Sequence, residues 1–215
     1  MVNLYIFNES TPAAVYGIGT YIKELTATLN NSGINVCVVN LRSDKSEVEI
    51  TEIEGVRHWY IPLPSINSNN YLNYKAQNEG YYRNITYLLQ LYVIKNEHKK
   101  NLVFQVNYMK CKPLVDFLRT AFDCKIVLVV HYLNSILTLM GNISRFRRII
   151  SQTNPPTDQE EKSTKEYYLK EKELFHAVDK IICLSNHTFD LLLHDYQIEK
   201  EKMVVIPNGL SDVFN

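Results

Sequence analysis

The sequence predicts an α/β fold: a Rossmann-like, doubly wound and mostly parallel sheet flanked by helices, with a small extra hairpin. Three observations carry this. Short apolar runs rich in β-branched residues recur between residues 2 and 206, and each is followed by a longer segment with helical spacing. The runs are apolar on both faces rather than alternating, which implies helices on both sides of the sheet. A chain of 215 residues is also long enough to bury such a sheet, since folding at this size hides roughly 70% of the unfolded surface.

Taken in order, strands are expected at 2–7, 35–41, 102–107, 125–130, 179–184 and 203–206. Helices are expected at 18–32, 75–98, 111–122, 164–177 and 186–195, the last opened by Ser185 as N-cap. In the 75–98 segment Tyr81, Ile85, Leu88 and Tyr92, with Leu89 and Val93, fall three and four residues apart and form a broad apolar stripe. Two alternating runs, 48–53 and 56–61, flank Glu54-Gly55 as an added hairpin or edge strand pair. Pro62 and Pro64 end it, and residues 65–73 read as a polar, Asn-rich loop. Pro155-Pro156 and the charged run after them place a surface loop at 151–163. Strand, helix and strand from Asp179 to the turn Pro207-Asn208-Gly209 form a βαβ unit, which delivers the chain to the edge of a domain.

Composition excludes several function classes. The chain carries 23 basic and 23 acidic residues, so no global field recruits nucleic acid or an anionic membrane. No apolar run approaches the ~20 residues of a membrane span, and Met1-Val2-Asn3-Leu4-Tyr5-Ile6-Phe7 reads as a strand rather than a signal peptide. A cytoplasmic location is expected. Cys37, Cys124 and Cys183 lie inside apolar strands, Cys111 stands alone, and none forms a C-x-x-C pair, which favours buried free thiols over a metal site.

Three places could carry chemistry. After the first strand, Tyr16-Gly17-Ile18-Gly19 precedes an amphipathic helix, and glycines at a helix start allow a phosphate to approach free N–H groups. The third glycine of a dinucleotide site is missing, the second strand ends Asn40-Leu41-Arg42 without an acidic residue, and no G-x-x-x-x-G-K-[ST] occurs. His131 directly follows the fourth buried strand, where ligands of open α/β sheets sit. Arg145, Arg147 and Arg148 form the densest basic cluster, either facing a phosphate or lipid headgroup or lying on a solvated helix face. His176, His187 and His194 show no ligand spacing and read as structural.

In order, these pieces resemble the amino-terminal half of a GT-B-type glycosyltransferase of the family-4 retaining group. The carriers are Tyr16-Gly17-Ile18-Gly19-Thr20-Tyr21, Ser32-Gly33-Ile34-Asn35-Val36-Cys37-Val38-Val39 and Val129-Val130-His131, then Asp179-Lys180-Ile181-Ile182-Cys183-Leu184-Ser185-Asn186 and Val204-Val205-Ile206-Pro207-Asn208-Gly209-Leu210. The resemblance implies an acceptor-side domain over 1–209, an interdomain linker starting at 210–215, and a missing carboxyl-terminal domain that holds most of the donor. It implies that the chain alone does not turn over. It further implies transfer from a nucleoside diphosphate sugar to a saccharide or lipid-linked acceptor of surface-polysaccharide or lipopolysaccharide synthesis, with peripheral membrane association and without metal or other cofactor. By position, the resemblance implies that His131 is the catalytic-site residue and that Gly17, with Tyr16, Ile18 and Gly19, meets the donor diphosphate. It leaves Asn134, Arg145, Arg147 and Arg148 as candidates to meet the acceptor or its phosphate. Tyr16 departs from the family's first glycine, and Tyr132 from the acidic or small residue common after the histidine. The competing readings are a non-catalytic α/β ligand-binding module and a different GT-B enzyme such as a nucleotide-sugar epimerase.

Overall fold

The computed structural model describes residues 2–9, 12–29, 32–63, 74–95, 101–154, 156 and 158–209. Their strands, β1 (Val2–Glu9), β2 (Ile34–Ser43), β3 (Glu49–Ile53), β4 (Val56–Pro62), β5 (Leu102–Val106), β6 (Cys124–Val130), β7 (Lys180–Cys183) and β8 (Met203–Val205), join in one sheet. The order is β3-β4-β2-β1-β5-β6-β7-β8. Every pairing is parallel except β3 with β4, the expected hairpin, which is attached through β4 to the edge of β2. The chain first builds outward from β1 through β2 to β4, then returns to the other side of β1 at β5. That reversal opens a crevice above the carboxyl ends of β1 and β5, the place where open α/β sheets bind ligands.

The helices are α1 (Pro12–Leu29), α2 (Tyr74–Lys95), α3 (Lys112–Ala121), α4 (Asn134–Leu137), α5 (Ile143–Ser151), α6 (Gln159–Ala177) and α7 (Asn186–His194). Their distribution is uneven. Residues of α2, α3, α5, α6 and α7 share one core with Tyr5, Phe7, Cys37, Val39 and Phe104. The residues that alternate with these on β1 and β2, Leu4, Ile6, Val36 and Val38, form a separate cluster with Ile18 and Ile22 of α1. Among the described residues α1 is thus the one helix on the second face, and Val204 and Ile206 near its far edge stay 44% and 49% exposed. Helices on both faces, expected from strands apolar on both sides, are present, but unequally.

Two helix starts lie earlier than the sequence spacing places them. α1 begins at Pro12, not residue 18, because proline suits the first helical turn, where its missing N–H would have no partner anyway. Gly17 and Gly19 therefore sit in the body of the helix. α6 begins at Gln159, since the Asp158 side chain accepts from the Glu161 amide at 2.7 Å and caps it, so part of the expected 151–163 loop is helical. The expected loop at 65–73 and the linker at 210–215 lie outside the described residues.

Asp179 shows how the motif around β7 is wired. Its backbone amide donates to the Ile126 carbonyl at 2.8 Å, and its carboxylate accepts from the Ile126 amide and from Arg119, both at 2.7 Å. Desolvation pushes this carboxyl up, but the amide and guanidinium outweigh it and leave it below the usual value. The aspartate thus joins the entry of β7 to β6.

Candidate functional site

The crevice is organised by Asn107, the residue after β5, only 1% exposed. Its Nδ2 donates to the Phe7 carbonyl at 3.0 Å. Its Oδ1 accepts from Gln105 Nε2 at 3.2 Å and lies 3.3 Å from His131 Nε2. Because Nδ2 is committed to a carbonyl, Oδ1 is the acceptor, and the imidazole carries its proton on Nε2. Nδ1 has no protein partner among the described residues. Tyr21 of α1 packs edge-on against the ring, with centroids 5.1 Å apart and planes at 76°. The Tyr21 hydroxyl hydrogen-bonds the Gln105 side chain, which moderates the upward push of burial on the phenol. Burial lowers His131 from 6.5 to about 4, so the ring is neutral at physiological pH.

A second polar pair closes the crevice toward β2. Arg42 Nε lies 2.7 Å from a Glu9 carboxylate oxygen, and the guanidinium carbon stands 5.6 Å from the centre of the Tyr81 ring. The Arg42 amide donates to the Tyr81 hydroxyl at 2.8 Å, and that hydroxyl donates to the Ile61 carbonyl at 2.8 Å. The basic residue that counted against a dinucleotide site is therefore locked to Glu9.

Two grooves flank α1. One of about 400 Å³ is lined by Tyr21, Glu24, Gln105, Ile182, Ile206 and Pro207, and joins the surroundings of His131 to the Pro207-Asn208-Gly209 segment. The other, about 570 Å³, is lined by Lys23, Thr26, Asn8, Asn40, His58 and Tyr60 among others. Its Asn8 and Asn40 side chains bond each other at 3.1 Å, and the His58 and Tyr60 rings stack with centroids 6.3 Å apart. Amides beside a stacked aromatic pair are a surface that can hold the hydroxyls and apolar faces of a saccharide.

The remaining candidates are placed as follows. Gly17 is exposed, with open space where a Cβ would stand. Gly19 is half-buried and lines the larger groove, and Ile18 is 9% exposed within the second-face core. The side chain of Tyr16 lies outside the described residues. The N–H groups of α1 without intrahelical partners belong to its first turn, ahead of Gly17. Asn134 opens α4, its amide donating to Glu171 at 2.6 Å. Each arginine of the cluster has a carboxylate: Arg145 pairs with Asp158 and Glu160, Arg147 with Asp195 at 2.9 Å, and Arg148 with Glu161 at 3.3 Å. An anionic headgroup at this face would compete with those carboxylates, and the structure pairs none of the three with His131.

All four cysteines are free, and burial raises each thiol, which makes them poor nucleophiles. Among the described residues no group of three or more His, Cys, Asp or Glu is arranged to hold a metal, and no helix is long and apolar enough to cross a membrane. The sequence singled out His131 but not the residues that surround it here, Asn107, Gln105 and Tyr21. Gln105 and Asn107 offered one signal: polar residues at the carboxyl end of an otherwise apolar strand, beside the expected ligand crevice.

Comparison with known proteins agrees with this architecture. The chain is similar to sucrose-phosphate synthase from Thermosynechococcus elongatus, at a TM-score of 0.64 and 14% identity over 98% of this chain and 49% of that one. It is similar to LpCGTa, solved in complex with UDP, at 0.58 and 11% identity over 99% and 55%. A glycosyltransferase from Rickettsia africae ESF-5 matches at 0.53 and 16% identity over 97% and 43%. The chain thus spans about half the length of these structures. At such identities the likeness establishes the fold, a Rossmann-like half of the GT-B type. No curated protein sequence matches. The family model of Glycosyltransferase Family 4 matches residues 15–212, nearly the whole chain, and the chain therefore belongs to glycosyltransferase family 4.

Proposed function

We propose that this chain is the acceptor-side half of an enzyme that moves a sugar from a nucleoside diphosphate sugar to an acceptor hydroxyl with retention of configuration. The acceptor is a growing surface polysaccharide or a lipid-linked saccharide. The observation that carries the reading is the neutral, fixed imidazole of His131 at the sheet's switch point. Positive charge develops at the reacting sugar carbon during transfer, and a neutral ring places no opposing cation beside it. With Nε2–H held by Asn107, Nδ1 is free to accept from a hydroxyl of the transferred sugar and orient it. The donor diphosphate meets the start of α1, where the free amides of the first turn suit negative charge, and Gly17 leaves room beside it. The UDP bound to LpCGTa supports a nucleoside diphosphate donor. The reading assigns no resident metal or cofactor, and the saccharide acceptor follows the grooves beside α1.

The test is to supply the full-length protein with nucleoside diphosphate sugars and acceptor saccharides, then follow diphosphate release and read the product anomer by proton NMR. Release with the donor's own anomeric configuration is the expected result. An inverted product removes retention, and no release with any donor removes the transfer reading.

A further inference from the structure

We propose that Glu171 is a positioning residue for the transfer site: from α6 it fixes the start of α4, and with it the short segment that carries His131. This rests on the reading of His131 as a site residue. The α4 helix starts three residues after His131, and its N-cap, Leu133, offers no side-chain hydrogen bond to the first free amides. Glu171 takes that role from far along the chain, in α6. One carboxylate oxygen accepts from the amides of Asn134 at 2.6 Å and Ser135 at 3.3 Å. The other accepts from the Ser135 hydroxyl at 2.7 Å and the Tyr196 hydroxyl at 2.6 Å.

This is an uncommon way to cap a helix. Glu171 is 1% exposed, Ser135 and Tyr196 are fully buried, and no basic side chain partners the carboxylate among the described residues. A buried carboxylate is tolerated only when its oxygens are saturated with donors, and here two of the four donors are backbone amides of the segment that leads back to His131. The segment is thereby clamped at both ends: Asn107 holds the imidazole, and Glu171 holds the amides three and four residues on. Leu133, 6% exposed between them, anchors the span in the core. The amides of Asn134 and Ser135 face a protein carboxylate, so they are not donors for a diphosphate, and the anion must be held elsewhere in the cleft.

The experiment uses the full-length protein carrying this chain, with histidine-selective labelling for NMR and the His131 signal identified by its loss in His131→Gln. Glu171→Ala is expected to raise the His131 titration midpoint from about 4 toward 6.5, by about one pH unit or more, because the released segment admits water to the ring. Amide exchange at Asn134 and Ser135 should quicken in the same variant, and Glu171→Gln, which keeps one acceptor, should restore most of both. Tyr196→Phe, which removes one donor and keeps the ring, covers the case in which Glu171→Ala does not fold, and should move the midpoint the same way by less. A midpoint unmoved in every folded variant overturns the proposal, even if melting temperatures fall, because Glu171 then only stabilises the core. Failure of the transfer reading looks different: His131→Ala would keep full transfer while the Glu171 variants still shifted the titration.

Discussion

His131 Nε2 lies 3.3 Å from Asn107 Oδ1, and Asn107 in turn donates to the Phe7 carbonyl at 3.0 Å. One buried amide therefore ties the ends of β1, β5 and β6 together where the strand order reverses. Replacing it leaves a buried carbonyl and an imidazole N–H without partners. Asn107→Ala should cost about 1–3 kcal/mol in urea unfolding. Asn107→Asp tests the electrostatics separately: a carboxylate beside Nε2–H favours the imidazolium, so the His131 midpoint should rise above about 4 in an NMR titration. A midpoint that stays or falls contradicts the assigned contact.

Stability should fall in acid over a defined window. His131 titrates at about 4 when folded and at its ordinary 6.5 when unfolded, so between these values the unfolded chain binds more protons. The contribution is fully present above pH 6.5 and is lost as pH falls through 4, on the order of 3 kcal/mol for this group. His58, also lowered by burial, acts with the same sign. Urea unfolding across this range should show a shallower slope in His131→Asn than in the parent, and equal slopes would contradict the burial argument.

Gly17 separates a structural role from a functional one. It lies within α1, and the space that an alanine methyl would occupy is open, so Gly17→Ala should stabilise the helix by about 0.5–1 kcal/mol. If the donor diphosphate passes close to this backbone, the same variant should lose transfer activity in the full-length enzyme. Higher melting temperature with unchanged transfer would leave Gly17 as a helical residue only.

Asp179 should prove structural despite its place in a family motif. Asp179→Ala removes the acceptor for the Ile126 amide and for Arg119, and should cost about 1–3 kcal/mol by denaturant unfolding. The titration of His131 should be unaffected, because these contacts lie at the opposite end of β6.

The strands and their parallel arrangement were legible because buried β-branched runs are a local signal, and the Glu54-Gly55 turn between two alternating runs pointed to the hairpin or edge pair that β3 and β4 form. The start of α1 was harder to read because Gly17 and Gly19 suggest a turn, while Pro12, compatible with a first helical turn, is the better marker. The Asp158 to Glu161 cap was likewise present but hidden behind Pro155-Pro156. At the site, His131 was legible from its position after β6. Asn107 was not, since a lone asparagine carries no motif and its meaning depends on Phe7, a hundred residues away. Glu171 was unreadable for the same reason: nothing in a charged helical segment says which carboxylate turns inward to cap another helix.

The most direct measurement is nucleoside diphosphate release by the full-length enzyme with His131 replaced by alanine, alongside its melting temperature. Loss of a positioned group at the reacting sugar predicts a fall of about 10²–10³-fold, with the melting temperature held within a few degrees. Release at the parent rate in a folded His131→Ala enzyme would contradict the placement of the transfer site at the Asn107–His131 crevice.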